Sequence, residues 1–287
     1  MGEGTEPFTG KKSIVFFYIK RLINILPIYY LVHVLWVVFF EENQMLGLIA
    51  TPIEILGIQT VFSGVMGVLH NGGTWFVSCI ILCYLIYPLL IKLLYNISYR
   101  RAQILLLISL VLYWYLPYYA ELSGSLSLYT NPFARGLEFF IGIVLAIMKN
   151  KSIHNAAGTR TESIASIIIL CILACFMFAA YYLGNVWMTN LSIIVVCLGI
   201  YYSTKIRCDA LDNSRMLQYI SSLTYPFYIL QLLLWIPSLK IIEWLGIGDS
   251  KWDFMVAFIL LIFMCILAHE LYEKPIKKAL KRKLLKG

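Results

Sequence analysis

Charge is what this chain has least of. Charged residues make up 13% of its 287 positions, where a soluble domain carries about 25%. That scarcity excludes an ordinary water-exposed surface. It also excludes a disordered chain, which needs high charge and low hydrophobicity. No P-loop, GxGxxG, GxSxG or HExxH pattern occurs, so the phosphate cradles, nucleophile elbows and zinc helices that such patterns build are not announced. Cysteine is odd in number, at seven, and has no CxxC pair. Buried thiols packing as small hydrophobes are expected, with neither disulfides nor a metal site. The N-terminal MGEGTEPFTGKK lacks the apolar core of a signal peptide. No internal repeat argues for an inverted-repeat transporter.

What is present is apolar. Hydrophobic residues reach 61% and mean hydropathy is +0.81. A membrane-crossing helix needs about 20 mostly apolar residues. Eight segments qualify: about 25–41, 74–92, 103–119, 134–148, 164–183, 186–203, 217–238 and 253–272. This predicts an all-α polytopic transmembrane bundle of about eight spans, a single membrane domain over 1–287. A ninth stretch, 46–62, is ambiguous because Pro52 and Glu54 sit at its centre. Charge decides its reading, since cytoplasmic loops collect Lys and Arg. If 46–62 does not cross, both termini are cytoplasmic and 20 of the 23 basic residues face inward, leaving Arg135, Lys240 and Lys251 outside. The stretch is therefore read as an interfacial or re-entrant helix at the outer face. Residues 1–24 become a cytoplasmic lead-in and 273–287 a basic cytoplasmic tail. The net charge of +8 is an orientation signal, and the tail can lie on anionic lipid headgroups. The lipid bilayer is the expected partner; nucleic acid is not.

Ionisable groups within a membrane are functional candidates by default. Arg135 and Glu138 share a helix face at i,i+3 spacing. Two readings stay open: an ion pair at the membrane interface, or an Arg135 that faces a polar cavity and holds a ligand. His33 reads as a lone histidine hydrogen-bonded between helices, His70 as an outer-loop residue without a visible partner, His154 as a loop residue and His269 as structural. Lys20 and Arg21 stand at the inner boundary, either snorkelling to lipid phosphates or clamping the phosphates of a nucleotide-bearing donor.

Four pieces of sequence, in order, carry a resemblance. They are FFYIKRLINILPIYYLVHVL, GGTWFVSCIILCYLIYPLL, NPFARGLEFFIGIVLA, and ISSLTYPFYILQLLL with the later LYEKPIKKALKR. They resemble, respectively, the FYxRRxxRIxPxY, WFLxxLxxCYLxxP, RxxEFxxGxxLG and SYxxYLxH segments of the membrane acyltransferase 3 family, with its closing E-[KR]-P-x-x-K. The resemblance implies an integral membrane acyltransferase, similar to polysaccharide O-acetyltransferases. Such a protein moves an acyl group, usually acetyl, from a cytoplasmic acyl-CoA to a hydroxyl of a cell-surface glycan. Acyl-CoA would be the donor and no metal is implied. The implied setting is a plasma or inner membrane of a bacterial cell.

Carried over residue by residue, Lys20 and Arg21 would hold the CoA phosphates. Trp75, Arg135, Glu138 and Tyr228 would line the substrate cavity, and Glu273 would be structural, pairing with basic residues at the inner face. Three positions depart from the family pattern: Asn24 replaces a second donor-site arginine, Ile80 a glutamate and Gln231 a histidine. The family's members also begin with two further spans, the first bearing the essential histidine. The chain is therefore expected to be N-terminally incomplete and to have little transferase activity alone; its catalytic residue is unknown, and His33 does not take that place. The alternative is a non-enzymatic polytopic membrane protein, such as a polysaccharide export or flippase-like component.

Overall fold

In lipid every backbone polar group must be satisfied internally, and an α-helix achieves this within one segment. The structure follows that rule. It is a computed structural model describing residues 8, 10–40, 44–62, 72–123, 129–151, 160–183, 186–203, 213–246 and 251–285. Every regular element among the described residues is helical. His70, His154 and Cys208 lie outside them. The other six cysteines are free thiols.

The helices run α1 (Lys11–Phe40), α2 (Gln44–Ile55), α3 (Trp75–Leu94), α4 (Tyr99–Ser123), α5 (Pro132–Lys151), α6 (Arg160–Leu183), α7 (Val186–Ser203), α8 (Arg215–Trp244), α9 (Lys251–Ala268) and α10 (Lys274–Leu285). Short 3-10 turns at Gln59–Val61 and Gly72–Thr74 lie between α2 and α3, and a π-helical turn, His269–Glu273, joins α9 to α10. Among the described residues five stretches are long and apolar enough to cross a membrane: Lys11–Val38, Gly72–Leu94, Tyr99–Tyr119, Arg215–Trp244 and Phe254–Leu285. The other three segments of the sequence reading fall on α5, which carries four charges (Arg135, Glu138, Lys149 and Lys151), and on the shorter apolar stretches Ser163–Ala179 and Ser192–Ser203. The helix that carries the last of these apolar windows continues through the π turn to Leu285, over the residues that the sequence reads as a basic tail. Pro275 does not stop it: it follows Lys274, the residue that closes the π turn, where the i→i−4 ladder is already replaced by an i→i−5 bond from Lys274 N to the His269 carbonyl.

The chain divides into two compact units, with the boundary inside α3. One is built around Ile86–Asn213. In it α4 packs on α5, α6 on α7, and α7 on both α4 and α5. The start of α5 is set by Asn131, whose Oδ1 accepts from Phe133 N at 2.8 Å and Ala134 N at 3.2 Å; with Pro132 as first helical residue this is an N-cap.

The other unit holds Phe8–Leu85 and Ser214–Gly287. Here α8 packs on α9, and α1 packs on α8 and α10. Ile25, Ile28, Tyr29 and Val32 of α1 meet Val77 of α3, Ile229, Leu230 and Leu233 of α8 and Cys265 of α9 in one buried cluster. Lipid tails are as apolar as leucine, so this core stabilises through close contact more than through water exclusion. The hydroxyl of Tyr225 donates to the Ile25 carbonyl at 2.9 Å and ties α8 to α1.

With 12 residues, α2 is about 18 Å long at the ordinary rise, too short for a hydrocarbon core of about 30 Å. It ends at a turn where Gly57 adopts φ +66° and a Cβ would stand 2.6 Å from Ile81 Cδ1. Only glycine takes that conformation without penalty. Gly57→Ala should therefore cost about 1–2 kcal/mol and lower the melting temperature of the protein in detergent. An unchanged melting curve would mean that the turn bears no such strain.

Candidate functional site

At the Lys11 end of α1, Lys20 and Arg21 border a cavity of about 370 Å³ whose other walls include Phe8, Ser13, Phe16 and Phe17. The Arg21 guanidinium lies 5.3 Å from the centre of the Phe17 ring, one turn earlier, and 5.2 Å from that of Tyr84 on α3. The two rings meet each other edge-on at 6.0 Å, so the guanidinium rests against a pair of perpendicular aromatic rings. Lys20 is exposed, and Asn24 is half-buried one turn on.

Farther along α1 the same unit contains a buried polar cluster. The Tyr29 hydroxyl donates to the Glu54 carbonyl, and Tyr30 to the Ile55 carbonyl at 3.0 Å, fastening α1 to the end of α2. His33 Nδ1 lies 3.5 Å from Glu54 Oε2, with the glutamate side chain 1% exposed. Thr60 and Ser78 share a hydrogen bond at 2.8 Å. Gln59 Nε2 donates to the Thr74 carbonyl at 2.9 Å, and Gln59 Oε1 is buried with no hydrogen-bond partner among the described residues. Trp75 is buried beside this cluster at the start of α3; it meets Phe76 edge-on at 6.1 Å, and Phe76 meets Tyr228 of α8 at 5.3 Å. Trp75 and Tyr228 are thereby linked through one ring. Ile80 packs against the apolar core, and Gln231 is half-buried on α8.

In the other unit, Arg135 Nη1 reaches both oxygens of Glu138 at 2.7 Å, and the Tyr113 hydroxyl donates to Glu138 Oε1 at 2.7 Å. Tyr129 lies 6.0 Å beneath the guanidinium. The side chains of the pair are 27% and 24% exposed. Arg135 is thus ion-paired and ring-stacked within its own helix and its neighbours.

Glu273 is wholly buried. Its carboxylate contacts His269 Nδ1 on one side and Lys277 Nζ on the other, each four residues away.

Comparison with protein families matches residues 7–269 to acyltransferase 3, described as an acyltransferase domain. The chain belongs to the acyltransferase 3 family. No curated protein and no solved structure matches it significantly. As a family member it is a multi-pass membrane acyltransferase. The matched range contains α1 with Lys20 and Arg21, the buried polar cluster, and the Arg135–Glu138 pair; it ends at the π turn, before Glu273.

Two features of this acyltransferase 3 chain go beyond the sequence reading. His33, read as a histidine bonded between helices, faces the buried Glu54 of α2; a partner 21 positions away on another helix leaves no periodic trace. The polar group Gln59, Thr60 and Ser78 was invisible for the same reason. The His269–Glu273 contact was legible in AHELYEKP, since i,i+4 residues share a helix face.

Proposed function

We propose that this acyltransferase takes an acyl group, acetyl in the first instance, from an acyl-CoA at the face that the positive charges mark as cytoplasmic, for delivery to a hydroxyl of a cell-surface glycan. The observation that carries the reading is the mouth formed by Lys20 and Arg21. Two adjacent cations beside an aromatic wall suit the two chemical parts of a CoA head. Charge-assisted bonds from Lys and Arg suit phosphate oxygens, and Phe16 and Phe17 of the same cavity offer aromatic surface to an adenine. The buried cluster of Tyr29, His33, Glu54 and Gln59 supports a hydroxyl-bearing acceptor. Its histidine–carboxylate pair is of the kind that receives a hydroxyl proton, and Gln59 Oε1 is an acceptor with capacity left.

Binding of labelled acetyl-CoA to the purified chain in lipid nanodiscs tests the donor half. Saturable binding, displaced by free CoA, is expected. Glycan acetylation on the opposite face of reconstituted vesicles tests the acceptor half. No acetyl-CoA binding would favour the non-enzymatic alternative.

A further inference from the structure

The end of the second unit that holds α10 contains a group of side chains that the donor and acceptor readings leave unused. Ser222 stands on α8, two turns after its start, and is exposed. Its Oγ lies 3.3 Å from Nε2 of His269. The other ring nitrogen of His269, Nδ1, contacts the Glu273 carboxylate. His269 is 4% exposed and Glu273 is fully buried. The order is hydroxyl, imidazole, carboxylate, running from surface to interior, with each neighbour in hydrogen-bond reach.

We propose that Ser222, His269 and Glu273 form a nucleophilic triad that accepts the acyl group from acyl-CoA as an ester on Ser222. This rests on the acyl-CoA reading above.

Three further observations point the same way. First, the imidazole cannot choose its tautomer freely. A proton on Nδ1 satisfies Glu273, which leaves the Nε2 lone pair facing the serine; this is the arrangement in which a histidine serves as base to a hydroxyl. Second, both partners of Ser222 come from a π-helical turn, His269–Glu273. Such turns occur mostly as single insertions in α-helices, frequently at functional sites. Third, α8 is opened beside the serine. Pro226 has no N–H for the carbonyl four residues before it, which is that of Ser222. The Ser222 hydroxyl itself donates to the Tyr219 carbonyl at 2.7 Å, so turning the hydrogen alone, with the oxygen held, directs it to His269.

The surroundings suit the proposed donor. Directly after Glu273, α10 presents Lys278, Lys281 and Arg282 along a cavity of about 920 Å³, and α10 packs on α1, the helix of Lys20 and Arg21. Two basic helices thus flank one end of one unit.

The step balances without a further reactant. Ser222 Oγ attacks the thioester carbonyl as His269 Nε2 takes the hydroxyl proton. The new C–O ester bond forms, the C–S bond breaks, and the proton passes from His269 to the departing CoA thiolate. The products are acyl-Ser222 and CoA. His269 and Ser222 are the catalytic residues, and Glu273 is a positioning residue.

The test uses the full chain in nanodiscs with radiolabelled acetyl-CoA and no acceptor, quenched in acid and mapped by peptide mass spectrometry. The expected result is an acetyl group on the peptide containing Ser222. The label should be lost in Ser222→Ala and retained in Ser221→Ala. In Ser222→Cys it should become a thioester that neutral hydroxylamine releases. Glu273→Gln should slow acylation by about 10²-fold or more while the acetyl-CoA Kd stays unchanged, a split that a purely structural role would not give. Acetyl-CoA binding with no label on Ser222, or a label that survives Ser222→Ala, would overturn the triad and leave the donor reading standing. No acetyl-CoA binding would overturn both.

Discussion

Replacing Lys20 and Arg21 together by alanine is expected to weaken acetyl-CoA binding by about two orders of magnitude or more. A hydrogen bond to a charged group contributes about 1.5–3 kcal/mol, and tenfold in affinity corresponds to about 1.4 kcal/mol. Each cation should therefore contribute about tenfold or more. The two contributions differ in kind. Lys20 is an exposed point charge that must be ordered as the donor binds, so its share should shrink as salt rises. Arg21 already rests against Phe17 and Tyr84, so less freedom is lost when it meets a phosphate. Arg21→Lys should recover only part of the lost affinity, because lysine keeps the charge but not the planar fork. Tyr84→Leu should weaken binding as well, by freeing the guanidinium, although Tyr84 need not touch the donor. Isothermal titration or equilibrium dialysis with acetyl-CoA at two salt concentrations measures all four. Wild-type affinity in the double variant would remove the donor site from the Lys20–Arg21 mouth.

Glu273→Ala is expected to destabilise the protein by about 3–5 kcal/mol. Removing one member of a buried charge pair leaves the partner uncompensated, which is the costly half of burying ions. Here the stranded groups are Lys277, with a side chain 21% exposed, and His269, 5% exposed. Lys277 can reach solvent by rotating, so the lower end of the range is expected. His269 cannot, and it loses the carboxylate that contacts its Nδ1. Glu273→Gln keeps an acceptor for His269 and should lose about half as much. Thermal unfolding in a fixed detergent reads the difference, with α10 expected to detach from α1 first. Equal melting temperatures for wild type and Glu273→Ala would show that the pair stabilises nothing.

How far the sequence alone reaches can be judged from particular elements. Helical class and membrane character follow from composition, because long apolar runs without water leave the backbone only one local solution. Charge asymmetry reads 46–62 as separate from the crossing helices; there α2 spans Gln44–Ile55, 12 residues long. The π turn leaves no mark in the sequence: α9 runs on through it into α10 although Pro275 stands just beyond it. Within the site, pairs at helical spacing can be read directly, as Arg135–Glu138 and His269–Glu273 show. Pairs formed across a turn cannot. Nothing in the spacing of His33 and Glu54, or of Thr60 and Ser78, predicts their contact: the first depends on how α2 folds back on α1, the second on where Gly57 directs the chain. Ser222 and His269 are 47 positions apart, and only the packing of α8 on α9 brings them together.

The π turn at His269–Glu273 amounts to one residue inserted into an otherwise continuous helix. A plain α-helix that loses one residue turns everything after it by about 100°, but the wider i→i−5 turn takes up its extra residue locally. Deleting Leu271, an exposed residue within the turn, would therefore let the turn close into α register while Lys278, Lys281 and Arg282 keep close to their present side. What would change is inside the turn: His269 and Glu273 would pass from i,i+4 to i,i+3 spacing. In this protein a single exposed residue, with no charge of its own, sets the spacing on which a buried contact depends.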